Sequence, residues 1–184
     1  MRRYVFARHA ESAANVDHAL NTDPARPIAL TPRGRAQARR LGERLADLDV
    51  QLAVTTNFLR TQQTAELALQ GRDVPILIEP DLDEIRAGAF DGKPINAYWA
   101  WKERHSPRDR FPGGESLDQA IQRYAAALDR LLQRTEPVTL VVAHELALRW
   151  ITDADSEIPN AVPYLLDEDA VRGAVLRLAG RVAA

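Results

Sequence analysis

Several residues that can do chemistry stand where apolar runs stop. The run Tyr4-Val5-Phe6-Ala7 ends at Arg8 and His9, and the run over 138–143 ends at His144. The short apolar stretch 52–54 leads through Asn57 to Arg60, and the stretch 76–78 leads to Leu82-Asp83-Glu84. A buried strand seldom ends in bulky polar groups unless something pairs with them. If the four runs are parallel strands, two arginines, two histidines and a carboxylate meet at one sheet edge, where open α/β sheets bind ligands. Arginine forks match phosphate oxygens, a neutral imidazole can be nucleophile, ligand or base, and a carboxyl can give or take a proton. The grouping suits an anion site with acid–base chemistry.

Each residue also has an ordinary structural use. Arg8 could cap a sheet edge, Arg60 could pair with Glu66 on a helix surface, Glu84 is one of several loop acids, and His144 could be a satisfied core histidine. Their joint occurrence at strand ends favours the shared site. His18 and His105 lie in loop-like stretches and read as surface residues. A zinc site would want paired ligands such as His-x-x-x-His, which the sequence lacks, and two arginines oppose a cation, so no metal is expected.

The elements that must position these groups alternate in type. Thr31 can cap and Pro32 can open a helix whose stripe Ala38, Leu41, Leu45 and Leu48 predicts an end near 48. Asn57 is the expected cap of a helix over 58–70, with Gly71 as its stop. Residues 12–27 read as a loop with one helical turn, 80–94 as a loop, 94–104 as helical and 105–114 as irregular. Ser116 or Glu115 opens a long helix with the stripe Leu117, Ile121, Tyr124, Leu128, Leu131 and Leu132. The run 138–143 is apolar enough for a central strand buried on both faces, and a helix follows to about 152. The stretches 76–78, 162–166 and 174–178 read as further strands, the first buried and the last two near an edge. Alternating strands and helices predict a three-layer α/β/α fold with a mainly parallel central sheet. No repeat or linker breaks the chain, so a single domain over 1–184 is expected.

Bulk properties narrow the function. The 184 residues are 46% apolar and 27% charged, as in soluble globular proteins, and the formal charge of -2 gives no general case for nucleic-acid or anionic-membrane binding. Cysteine is absent, which excludes thiolate catalysis and thiolate metal sites. No apolar run approaches the roughly 18 residues of a membrane helix, and no signal sequence is evident, so a cytoplasmic location is expected.

Six segments, in order, resemble the histidine phosphatase superfamily, the phosphoglycerate-mutase-like fold. Arg8-His9-Ala10-Glu11-Ser12 with Asn15 is similar to its Arg-His-Gly-Glu-Ser/Thr opening, and Leu30-Thr31-Pro32-Arg33-Gly34 with Gln37-Ala38 to its Leu-Thr-x-x-Gly helix start. Arg60 with Gln63-Thr64-Ala65, Leu82-Asp83-Glu84 with Gly88 and Gly92, Pro112-Gly113-Gly114-Glu115-Ser116, and Val141-Val142-Ala143-His144 with Arg149 resemble the remaining four.

The resemblance implies roles. His9 would be the nucleophile and become a phosphohistidine, and Glu84 would be the proton donor. Arg8, Arg60 and His144 would hold phosphoryl oxygens, with Asn15 lining the same pocket. It implies no cofactor and a small-molecule phosphomonoester substrate. Two positions depart from the pattern. Ala10 replaces a glycine and would be strained if the backbone there needs positive φ, and Glu145 puts a carboxylate beside a phosphate site where the family's Ser-His-Gly has glycine.

The superfamily hosts phosphatases and mutases. Cofactor-dependent mutases resemble longer chains with an insertion and an ordered tail, so this short chain ending in Val182-Ala183-Ala184 favours hydrolysis. A mutase-type phosphotransferase and a non-catalytic phospho-ligand binder are the alternatives. Residues 94–114 are the expected cap. Within them Tyr98, Trp99 and Trp101 either meet a ring-bearing substrate or pack onto the core, and packing is favoured. Arg104, Arg108 and Arg110 read as a solvated face. The substrate and the oligomeric state are not legible.

Overall fold

The computed structural model describes residues 1–183 and is a three-layer α/β/α fold around a five-stranded sheet. The strands are β1 (Arg3–Arg8), β2 (Leu52–Thr55), β3 (Ile76–Ile78), β4 (Val138–Ala143) and β5 (Pro163–Asp167), in spatial order β3-β2-β4-β1-β5. The first four are parallel and β5 runs antiparallel to β1 on the edge. All six residues of β4 are buried, as its unbroken apolar run requires of a central strand.

Alternate strand residues feed two cores. Tyr4, Phe6, Leu52, Val54 and Val141 face α5 (Leu117–Leu132), α6 (Glu145–Thr152) and α7 (Glu168–Ala183). Val5, Ala7, Ala53, Leu140 and Val142 face α2 (Pro32–Arg44) and α3 (Leu59–Ala68). The short α1 (Ala13–Val16) and α4 (Ile95–Lys102) lie in connections near the carboxyl ends of the strands.

Local chemistry explains most helix starts. Thr31 accepts from the Gly34 amide with Pro32 at the first helical position, and Ser116 and Gln119 form a reciprocal capping box at α5. Gly34 is required by close approach, because a Cβ there would stand 2.0 Å from the Glu11 carbonyl oxygen. That contact docks the start of α2 onto the segment after His9.

Four expectations need correction. Residues 174–178 are helical, within α7: Val171, Ala174 and Leu178 are buried at helical spacing, and Asp167 caps the Ala170 amide at 2.8 Å. Asn57 does not cap α3. Phe58 is the N-cap, and Asn57 bonds Asp83 through its amide and its side chain, both at 2.9 Å. Strand β3 is not buried, since Ile76, Leu77 and Ile78 are 40%, 41% and 46% exposed at the open edge. Gly71, with φ of 82°, falls two residues beyond the C-cap Leu69. Ala184 of the terminal Val182-Ala183-Ala184 lies outside the described residues. Among the described residues no helix is long and apolar enough to cross a membrane.

Candidate active site

Strand register sets the two histidines side by side. Arg8 pairs with Ala143, so the next residues, His9 and His144, leave adjacent parallel strands at the same edge with ring centroids 5.5 Å apart. The His9 amide donates to the Ala143 carbonyl at 2.9 Å, and Asn160 Nδ2 donates to the His9 carbonyl at 2.7 Å. His9 Nδ1 lies 2.8 Å from the Ala10 carbonyl oxygen, which can only accept. The proton therefore sits on Nδ1, and Nε2 presents a lone pair.

Arg60, in the first turn of α3, reaches both rings. Its Nε donates to His9 Nε2 at 3.0 Å and its Nη2 to His144 Nδ1 at 3.2 Å. Nη2 also donates to the Asn21 carbonyl at 3.1 Å, and Nη1 to the Asn21 side-chain oxygen. Arg60 is 4% exposed, so it makes no pair with Glu66 on the helix surface. His144 Nε2 meets Thr56 Oγ1 at 3.0 Å, and Thr56 Oγ1 meets Thr61 Oγ1 at 2.9 Å. Thr61 in turn donates to the Phe58 carbonyl at 2.8 Å. With Arg60 donating to Nδ1, this relay puts the His144 proton on Nε2.

Arg8 is 9% exposed. Its Nη1 donates to the Ile158 carbonyl at 2.8 Å and pairs with Glu145 at 2.9 Å, whereas Nε is buried with no hydrogen-bond partner. A buried donor left over in this way marks a place for an acceptor. Glu84 Oε2 stands 4.0 Å from His144 Nδ1, and Oε1 accepts from the Ile85 amide at 3.0 Å. Asn15 accepts from Ser12 through Oδ1 at the start of α1. Arg8, His9, Asn15, Arg60 and Glu84 line one cavity of about 140 Å³, whereas fully buried His144 does not line it and touches the group only through Arg60 and Glu84.

Burial and neighbouring cations tune these groups together. Burial, then Arg60, then Arg8, hold the His9 imidazole well below its ordinary value, and burial and Arg60 do the same for His144, so both rings are neutral near pH 7. Burial raises the Glu84 carboxyl against the opposing pull of Arg60. Burial lowers Arg60 to about 10, still charged at neutral pH.

Order, charge, tautomer and cavity converge on one buried cationic site with neutral imidazoles, and a model of the histidine phosphatase superfamily (branch 1) matches residues 4–167. The chain belongs to the histidine phosphatase superfamily. Proteins named "Probable phosphoglycerate mutase GpmB" from Photorhabdus laumondii and Erwinia tasmaniensis are 30% and 28% identical to it, each across 80% of this chain and 72% of their own length. Among solved structures, Bacillus stearothermophilus YhfR superposes with a TM-score of 0.77 at 25% identity, covering 91% of both chains. The alpha-ribazole phosphatase from Shigella flexneri gives 0.73 at 25% identity over 90% of both chains. TTHB049 from Thermus thermophilus gives 0.69 at 28% identity over 90% of this chain and 93% of that one.

Superfamily positions that looked anomalous have local explanations. Ala10 is fully buried, and among the described residues positive φ outside glycine occurs only at His18, Asp153 and Ala161, so Ala10 carries no backbone strain. Its amide donates to Thr64 Oγ1 at 3.0 Å. Glu145 turns toward Arg8 instead of away from the site. The Pro-Gly-Gly-Glu-Ser segment supports Glu84. Glu115 accepts from Arg123 at 2.5 Å and from the Arg86 amide at 2.9 Å, and Arg123 donates to the carbonyls of Asp81, Asp83 and Glu84 at 2.9, 2.7 and 3.0 Å. A Cβ on Gly114 would stand 2.1 Å from the Arg86 carbonyl, so the two loops touch only because that residue is glycine.

Sequence reasoning did not find Asn21, Thr56, Thr61, Asn160 or Arg123. None shares an element with the group it holds, and no period marks them. Tyr98 and Trp101 pack on Phe111, as expected of core aromatics, while half-exposed Trp99 lines a second cavity. His18 and His105 are exposed, and so are Arg104, Arg108 and Arg110.

Proposed function

We propose that the protein hydrolyses phosphate monoesters through a phosphohistidine on His9, without a metal. The observation that carries this is the fixed neutral tautomer of His9, whose Nε2 keeps its lone pair and accepts from the buried Arg60. In the first step Arg60 Nε leaves His9 Nε2 for a phosphoryl oxygen, and the freed Nε2 lone pair forms a bond to phosphorus as the ester P–O bond breaks. Glu84 gives its proton to the departing alkoxide, a role suited to a carboxyl raised by burial. Arg60 and the unpartnered Nε of Arg8 hold phosphoryl oxygens, supplying the charge that phosphoryl transfer needs. His144 stays neutral in this scheme and helps to position Arg60 through Nδ1. In the second step water attacks phosphorus, the P–N bond breaks, and the Glu84 carboxylate takes the water's proton.

Hydrolysis is favoured over mutase transfer by what lies beyond Glu84. A second cavity of about 120 Å³ shares Leu20, Thr22, Glu84, Ile95 and Glu145 with the first and is otherwise walled by Ile85, Tyr98, Trp99, Leu146 and Arg149. A bisphosphate-using mutase needs strong anion binding on that side, whereas an apolar or ring-bearing leaving group fits these walls. Residues 94–114 act as the cap over it. The mutase reading is kept by the curated relatives' names and is tested by assaying phosphoglycerate interconversion with and without a bisphosphate.

The deciding experiment is turnover of p-nitrophenyl phosphate by the wild type and His9→Ala, each with and without EDTA. The expected outcome is wild-type turnover indifferent to EDTA and a loss of about a thousandfold or more in His9→Ala. Turnover abolished by EDTA would sink the metal-free mechanism, and no wild-type turnover between about pH 5 and 8 would favour a phospho-ligand binder.

A further inference from the structure

Glu145 opens α6 immediately after His144, and its carboxylate is drawn into the site. Oε2 lies 2.9 Å from Arg8 Nη1, and the side chain is 29% exposed against 11% for Arg8. The same nitrogen donates to the Ile158 carbonyl at 2.8 Å and has a looser neighbour in Glu157, 3.5 Å away with its side chain 81% exposed. The guanidinium is thus divided. Its outer nitrogen is committed to a carboxylate and a carbonyl, and its buried Nε is committed to nothing. Glu145 also lines both the phosphoryl cavity and the apolar one beside it.

We infer that Glu145 is an affinity-setting counterion: by holding the outer nitrogen of Arg8 beside the phosphoryl cavity, it weakens the grip of the site on phosphate dianions, the released product included. The inference rests on the reading that this cavity takes the phosphoryl group. A dianion meets two arginines there, and a fixed carboxylate within a few ångströms of it cancels part of their attraction where water screens little. Product release limits many enzymes, so a looser hold on inorganic phosphate speeds the cycle at the expense of KM. Glu145 does not touch the reacting atoms in this scheme. It acts through Arg8 and through its own charge.

The test uses the whole protein and inorganic phosphate as the probe, with dissociation constants measured calorimetrically at constant ionic strength for the wild type, Glu145→Gln, Glu145→Ala and Glu157→Gln. Both Glu145 variants are expected to bind phosphate about tenfold more tightly, with KM for p-nitrophenyl phosphate falling in parallel, while Glu157→Gln changes binding less than about twofold. A gain in affinity is an outcome that mere structural damage does not produce. An unchanged or weaker phosphate constant in both Glu145 variants overturns the inference, as does an equal gain in Glu157→Gln, which would reduce the effect to general charge. The binding measurement needs no turnover. Tighter phosphate binding in a protein that hydrolyses nothing would uphold this inference and sink the proposed reaction, and normal turnover with unchanged phosphate binding would do the reverse.

Discussion

At the end of the site proposed to take the phosphoryl group, buried polar side chains are held by the backbone and side chains of neighbouring elements: His9 by Ala10 and Asn160, Arg60 by Asn21, Arg8 by Ile158, His144 by Thr56. At the proposed leaving-group end, between α4 and α6, the walls are mostly apolar side chains, and Trp99 is 43% exposed. The first end is anchored to two central strands and fixes geometry within hydrogen-bond tolerances. The second is carried on two short helices and loops and fixes little more than shape and polarity. Chemistry is therefore specified tightly and substrate identity loosely, as a fold shared by phosphatases and mutases requires. Substitutions should separate the two ends, with losses in kcat on one side and small changes in KM on the other.

The largest effect within this contrast should come from Glu84, which stands where the two cavities meet. Glu84→Gln keeps shape and removes the transferable proton. Hydrolysis of an alkyl phosphate should fall about a thousandfold, and that of p-nitrophenyl phosphate, whose leaving group needs little protonation, much less. The sign of the pH dependence follows from the raised carboxyl. Alkyl phosphate turnover should decline as pH rises through the elevated Glu84 value, because the acid form is lost, and the variant should lack that limb. His9, held low, stays neutral down to pH values well below its ordinary one and adds no limb near neutrality. Equal losses on both substrates would deny Glu84 the proton-donor role.

A middle effect is expected at the brace behind Glu84. The Arg123 and Glu115 side chains are 9% and 8% exposed, and Arg123 donates to the carbonyls of Asp81, Asp83 and Glu84. Arg123→Met leaves a buried carboxylate without its partner, which should cost about 3 kcal/mol in urea unfolding. If the pair also positions Glu84, turnover of alkyl phosphates should drop about tenfold more than that of p-nitrophenyl phosphate. A loss of stability with no such split would make the pair structural only.

How much of this was legible in the sequence follows the same division. Arg8, His9, Arg60, Glu84 and His144 were visible because polar residues at the ends of apolar runs break a pattern, and parallel topology brings such ends together. The residues that hold them were not. Asn21 grips Arg60 across 39 positions and Arg123 grips the Glu84 loop across about 40, distances over which a single sequence carries no periodic signal. The misread helix at 174–178 has a different cause. Val175, Leu176 and Leu178 look strand-like locally, and Gly173 and Gly180 weaken the helical impression, yet the buried positions Val171, Ala174 and Leu178 keep the helical period. Burial decided between two readings that local composition left balanced. Arg60 shows the same rule from the polar side. An i,i+6 partner in Glu66 was plausible on paper, but position 60 begins the helix at the sheet edge, and its side chain turns inward to two imidazoles.

The smallest effect is expected at Trp99, and it sharpens the comparison most. Its ring lines the apolar cavity, with Lys102 Nζ 5.0 Å from its centroid, and does not line the cavity that contains His9. Trp99→Ala removes contact area from a partly exposed position, so stability should change by no more than about 0.5 kcal/mol. KM for an aryl phosphate should rise about threefold, the loss expected for part of one ring's apolar contact, with kcat nearly unchanged and the dissociation constant of inorganic phosphate unmoved. The dissociation constant is the informative control, because on the proposed reading phosphate occupies only the anchored end. Should Trp99→Ala weaken inorganic phosphate as much as the aryl ester, the two ends would be mechanically coupled through α4, and the loose end would have a hand in building the tight one.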